Sequence, residues 1–97
     1  MRMVETVRFT RFDWDRNKER INIGKHGIDF DEALMALSQP HLETRSDRNG
    51  EIRILAICPH SDRVIAVVYT PRGDVCWIIS ARAARKNEKR EYRLHYL

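Results

Sequence analysis

Apolar positions follow two rhythms along this chain. In roughly its first forty residues they recur at three- and four-residue spacings, and from His41 onward they alternate or form short blocks. The first rhythm is that of helices and the second that of strands. Val7, Phe9 and Phe12, interleaved with Arg8 and Arg11, predict an opening strand within Met1 to Asp13, with Met1 to Thr6 as an arm of little fixed structure. A helix from Asp15 to about His26 follows, capped by Asp13 or Asp15. Gly27 suits a left-handed stop, and Lys25 and His26 in the last turn face the negative end of the helix dipole. Trp14, Lys18, Ile21 and Lys25 share one face, so the lysines either extend from the rim of a core face or overhang a site. A second helix begins at Asp29, where Glu32 three residues on makes a capping-box pair and Ile28 is placed to staple onto Ala33. Phe30, Ala33, Leu34 and Leu37 form its apolar stripe, and Pro40 stops it.

The second half reads as strands. His41 to Arg45 is weakly strand-like, Asn49-Gly50 is a hairpin signal, and Ile52 to Cys58 is interrupted only by Arg53. After a turn at Pro59 to Asp62, the unbroken run Val64 to Tyr69 predicts a central strand covered on both faces. Pro71 to Asp74 turns into a last strand, Val75 to Ser80, which hands over at Ala81 to Ala83 to a charged C-terminal helix. Connections this short make the later strands an antiparallel meander. The expected order is β-α-α-β-β-β-β-α, an α+β single domain with helices packed on a mostly antiparallel sheet.

Charge sharpens this picture. Arg82 to Arg93 carries Arg82, Arg85, Lys86, Lys89, Arg90 and Arg93 against Glu88 and Glu91, a surplus that equals the net +4 of the whole chain. A cationic face concentrated in one element is the footprint of a polyanion-binding protein. At 97 residues the chain supports a modest core without metal or disulfide staples. Cys58 and Cys76 each lie in an apolar run, which fits buried thiols in a reducing compartment. No apolar run is long enough to span a membrane and the start carries no signal-peptide pattern, so a cytoplasmic location is expected.

Three groups carry candidate chemistry. Lys25-His26-Gly27 offers a titratable imidazole beside a cation, although dipole compensation with a glycine cap explains the same residues. Arg82 with Arg85, Lys86, Lys89 and Arg93 reads as two rows of cations along the last helix, placed to track a phosphate backbone or to form a solvated face. Arg82, at the junction of strand and helix, is the sharpest of these. Arg53 with Glu51 is either a satisfied edge pair or one wall of an anion site, and Arg72 sits in a turn. His26, His41, His60 and His95 are too scattered for ligand spacing, so no metal or cofactor is expected. Phosphate-loop and hydrolase-elbow motifs are absent.

Several separated motifs together resemble the BrnT toxins. Phe12-Asp13-Trp14-Asp15, Lys18, Asn22, Lys25-His26-Gly27-Ile28, Phe30 and Ala33 are similar to that family's opening. Glu51, Arg53, Arg72-Gly73, Ile78-Ile79-Ser80-Ala81-Arg82, Ala84, Glu88 and Tyr92 follow in the family's order. The resemblance covers Phe12 to Tyr92 and implies a bacterial type II toxin with a RelE-like ribonuclease fold. It also implies neutralisation by a BrnA-type antitoxin that supplies DNA binding, in a dimer or hetero-oligomer. Arg85 stands where the family usually has Thr or Ser, and Cys58 where it usually has Gly.

The expectation is therefore a metal-independent endoribonuclease that cleaves RNA and blocks translation. Arg82 and Arg53 are expected to clamp phosphate, Lys25 or Lys18 to take part in proton transfer, and His26 to be an alternative proton carrier. Glu88 is a base or an orienter of Arg82. Lys18, Arg72, Arg85, Lys86, Lys89 and Arg93 are expected to contact RNA. The competing expectation is a non-catalytic, degenerate toxin acting through antitoxin binding and autoregulation.

Overall fold

The computed structural model describes residues 1–96. In chain order the elements are β1 (Arg2–Val4), β2 (Arg11–Trp14), α1 (Arg16–His26), α2 (Phe30–Leu37), β3 (His41–Arg45), β4 (Ile54–His60), β5 (Arg63–Arg72), β6 (Val75–Ala83) and α3 (Lys86–Tyr96). All six strands form one sheet in the order β1-β3-β4-β5-β6-β2, so the expected α+β class holds. The four strands from β3 to β6 are the antiparallel meander that their short connections require. β2 pairs parallel with β6, aligning Phe12 with Cys76 and Trp14 with Ile78.

Local signals in the sequence set most of these boundaries. Asp15 caps α1, its carboxylate accepting from the Asn17 and Lys18 amides, and Gly27 ends the helix at φ 69°. Asp29 and Glu32 make both halves of a capping box on α2. Asn49 and Gly50 both take positive φ, 53° and 77°, as a two-residue turn between Arg48 and Glu51 demands.

Alternation along the strands gives the sheet two differently covered faces. On one, Phe30, Ala33 and Leu37 of α2 with Ile28 pack on Ala56, Cys58, Ile65, Val67, Tyr69, Cys76 and Ile78. On the other, Tyr92 and Tyr96 of α3 cover Leu42, Leu55, Ile57, Val64 and Ala66. β5 is thus buried on both sides, as its unbroken apolar run predicts.

Three expectations need correction. The opening segment is two short strands, and Arg2–Val4, expected within a loose arm, pairs antiparallel with β3. There Arg2 reaches the buried carboxylate of Glu43 at 3.3 Å, which also accepts from His41 Nε2 and the Tyr69 hydroxyl. Burial raises the Glu43 pKa, but the bonds from His41 and Tyr69 outweigh it and hold the carboxyl below its usual range. The last strand does not stop at Ser80 but runs to Ala83, so Arg82 belongs to β6 and not to a helical row with Lys86 and Arg90. Strand β4 likewise runs through Pro59 and His60, narrowing the expected turn to Ser61 and Asp62.

Candidate active site

β2 covers the outer edge of β6 only from Val75 to Ile78, which leaves the edge open beyond that point. Asn22 of α1 closes it. Its amide nitrogen donates to Ala81 O at 2.8 Å and to Ile28 O at 2.9 Å, and its amide oxygen accepts from Ala81 N at 3.1 Å. The side chain thus does what a neighbouring strand would do, and it locks α1 beside β6. Lys18, Ile21, Lys25 and His26, within four residues of Asn22, line a cleft of about 210 Å³ with Ile79 and Ser80. Lys18, Lys25 and His26 are exposed, and among the described residues their side chains make no hydrogen bond or ion pair. The lysine ammonium groups and the imidazole are thus available to a ligand.

A register shift reshapes β6 at this cleft. Ile78 pairs with Tyr69 and Ser80 with Val68, so Ile79 bulges out of the ladder. Beyond the bulge, Ser80 and Arg82 point to the sheet face that α3 covers, because Arg82 pairs with Ala66 of that face. Arg82 donates to both oxygens of Glu88, at 2.8 and 3.0 Å, and Glu88 is buried. The bond from Arg82 holds the Glu88 carboxyl below its usual range, and Glu88 in turn raises the Arg82 pKa. Glu88 also accepts from the Arg85 backbone amide at 2.8 Å. That bond is half of a capping box, with Arg85 where Ser or Thr would supply the other half.

Arg53 and Arg72 belong to a separate cluster on the same sheet face. Glu51 accepts from Arg53 Nε at 3.2 Å and from Arg72 at 3.5 Å, while the Arg72 guanidinium lies 4.6 Å from the Trp77 ring. In the strand register Arg53 lies four residues along from the row of Arg82, roughly 13 Å at strand rise. Lys86, Lys89 and Arg93 are placed differently again, on the outward side of α3 with Arg90 and Leu94. Apart from Arg85, exposed just before α3, the expected residues therefore form three groups: the cleft with the Arg82–Glu88 pair farther along β6, the Glu51 cluster, and the outer stripe of α3.

One acidic triplet has ligand spacing among the described residues: Glu19, Asp29 and Asp31, whose oxygens lie within 4.8 Å of one another. Glu19 already accepts from Trp14 Nε1 and Phe30 N, and Asp29 caps α2. Those bonds make the triplet a brace between α1 and α2.

A family model described as a ribonuclease toxin, BrnT, of a type II toxin-antitoxin system matches residues 14–88. The chain belongs to the BrnT family. The match runs from Trp14 to Glu88 and so contains the cleft, the bulge and the whole Arg82–Glu88 pair. It leaves out β1 and most of α3. No curated protein matches the chain. BrnT toxins are ribonucleases with an antitoxin as partner, which makes RNA the family's target.

With the family known, its motif divides into structural and free residues. Asp15, Asn22, Gly27, Ile28, Phe30 and Ala33 cap, bolt or fill the fold, whereas Lys18, Lys25 and His26 do none of these. Sequence reasoning assigns no role to Asn22 or to the bulge at Ile79. The signal for Asn22 was a poor helix former in the middle of a helix, facing the sheet. The bulge left no mark in the apolar pattern.

Proposed function

We propose that this chain is a metal-independent endoribonuclease of the RelE-like kind, acting in the cytoplasm to block translation. Its activity would be restrained by a BrnA-type antitoxin with which it assembles. The observation that carries this reading is the cleft beside β6, ringed by Lys18, Lys25 and His26, which are unpartnered among the described residues, with Arg82 two residues along β6 from the Ser80 wall and held there by Glu88.

In the proposed reaction the ribose 2′-hydroxyl attacks the adjacent phosphorus and the bond to the 5′-oxygen of the next nucleotide breaks. The products are a 2′,3′-cyclic phosphate and a 5′-hydroxyl. A base must take the 2′-proton, an acid must give one to the leaving oxygen, and cations must offset the extra charge on the phosphorane. Lys25 and His26 are the candidates for proton transfer, with Lys18 on the same rim. Arg82 serves as the phosphate clamp, and the two-pronged contact from Glu88 supports an orienting role for that carboxylate rather than a basic one. Arg53 and Arg72, farther along the sheet, suit a neighbouring phosphate on the same strand, with Trp77 beside them. Every part of this chemistry is within reach of amine, imidazole and guanidinium groups, which is why no metal is invoked.

One observation favours a non-catalytic module: Arg82 and Arg53 are each already paired with a carboxylate. Incubating purified, folded chain with single-stranded RNA in excess chelator separates the readings. Cleavage to cyclic-phosphate ends supports the nuclease, and retention of intact RNA supports the binder.

A further inference from the structure

The outward side of α3 carries a surface that the proposed reaction does not use. Lys86, Lys89, Arg90, Arg93 and Leu94 line one continuous depression there. Their spacings are three, four, seven and eight residues, which on a helix is a single stripe. The acidic residues of α3 lie elsewhere, Glu88 buried against Arg82 and Glu91 turned toward His95. Among the described residues none of the four cations on the stripe makes an ion pair or a side-chain hydrogen bond. At its C-terminal end Leu94 is 72% exposed, the most exposed large apolar side chain among those described.

A phosphate backbone would satisfy the cations but leave that leucine in water. An acidic protein segment with an apolar residue at its centre satisfies both, because carboxylates pair with the flanking cations while the apolar residue covers Leu94. Resting on the toxin reading above, we infer that the outer stripe of α3 docks an acidic, amphipathic segment of a protein partner, the antitoxin. It is not part of the RNA path, although Lys86, Lys89 and Arg93 were expected there. Lys89, Arg90, Arg93 and Leu94 of the stripe lie beyond residues 14–88, the span that the family model matches.

The test uses the full chain and three probes. They are an acidic helical peptide with leucines on one face, the same peptide with serines in their place, and a 2′-O-methyl RNA that cannot be cleaved. The leucine peptide is expected to bind about tenfold tighter than the serine peptide, the scale of burying one such side chain. Leu94→Ser should erase that difference while leaving RNA affinity unchanged. Lys89→Glu with Arg93→Glu should abolish peptide binding with RNA cleavage retained. Equal binding of the two peptides, no binding of either, or equal loss of peptide and RNA in Leu94→Ser would overturn the inference. A chain that binds the leucine peptide as described but cuts no RNA would sink the nuclease reading and leave this surface standing.

Discussion

Asn22 shows how much one polar side chain does when it replaces a strand. Three backbone groups, Ala81 N, Ala81 O and Ile28 O, depend on its amide. Asn22→Ala strands them at a buried edge, so a loss of about 3 kcal/mol in urea unfolding is expected, at the scale of unpaired buried groups. Lys25 is the opposite case. It is exposed and, among the described residues, unpartnered, so Lys25→Ala should leave the unfolding free energy unchanged within about 0.5 kcal/mol. Glu88 adds a pH dependence. Its folded pKa is depressed, chiefly by Arg82, so its contribution is complete above the ordinary value of 4.5 and is lost as pH falls through the lower folded value. Stability measured across that acid range should therefore fall less steeply in Glu88→Gln than in the parent chain.

Among the elements, the start of α3 offers the clearest test. Arg85 cannot accept from the first-turn amides, yet Glu88 already makes its half of the capping box. Arg85→Ser should supply the missing acceptor and raise the unfolding free energy by about 1 kcal/mol. Gly27→Ala should cost about 1 to 2 kcal/mol, since an L-residue at φ 69° is strained whatever space surrounds it. These two sites also show what sequence reveals. Caps, glycine stops and the Asn49-Gly50 turn were legible because each is settled within a few residues. The parallel pairing of β2 with β6 joins positions more than sixty residues apart, about which local pattern says nothing. The reach of β6 to Ala83 was hidden because Ala81, Arg82 and Ala83 carry no strand signature; tertiary pairing with Ile65 to Val67 makes them a strand.

Across the whole molecule, the surplus charge read from the sequence is real but divided. Arg82 stands in the sheet, two residues along β6 from a cleft whose lysines come from α1, while Lys86, Lys89, Arg90 and Arg93 face outward from α3. Linear clustering pointed to one surface, and folding made two. The residues proposed to cut RNA are therefore separable from those proposed to bind a partner, which permits a direct test of the cleft. The measurement is the rate at which purified chain cleaves single-stranded RNA in chelator, for the parent and for Lys25→Ala. Cleavage by the parent, with a fall of about a hundredfold or more in the variant at unchanged stability, is the expected result. Equal rates in the two proteins, or no cleavage by either, would contradict the placement of the active centre at this cleft.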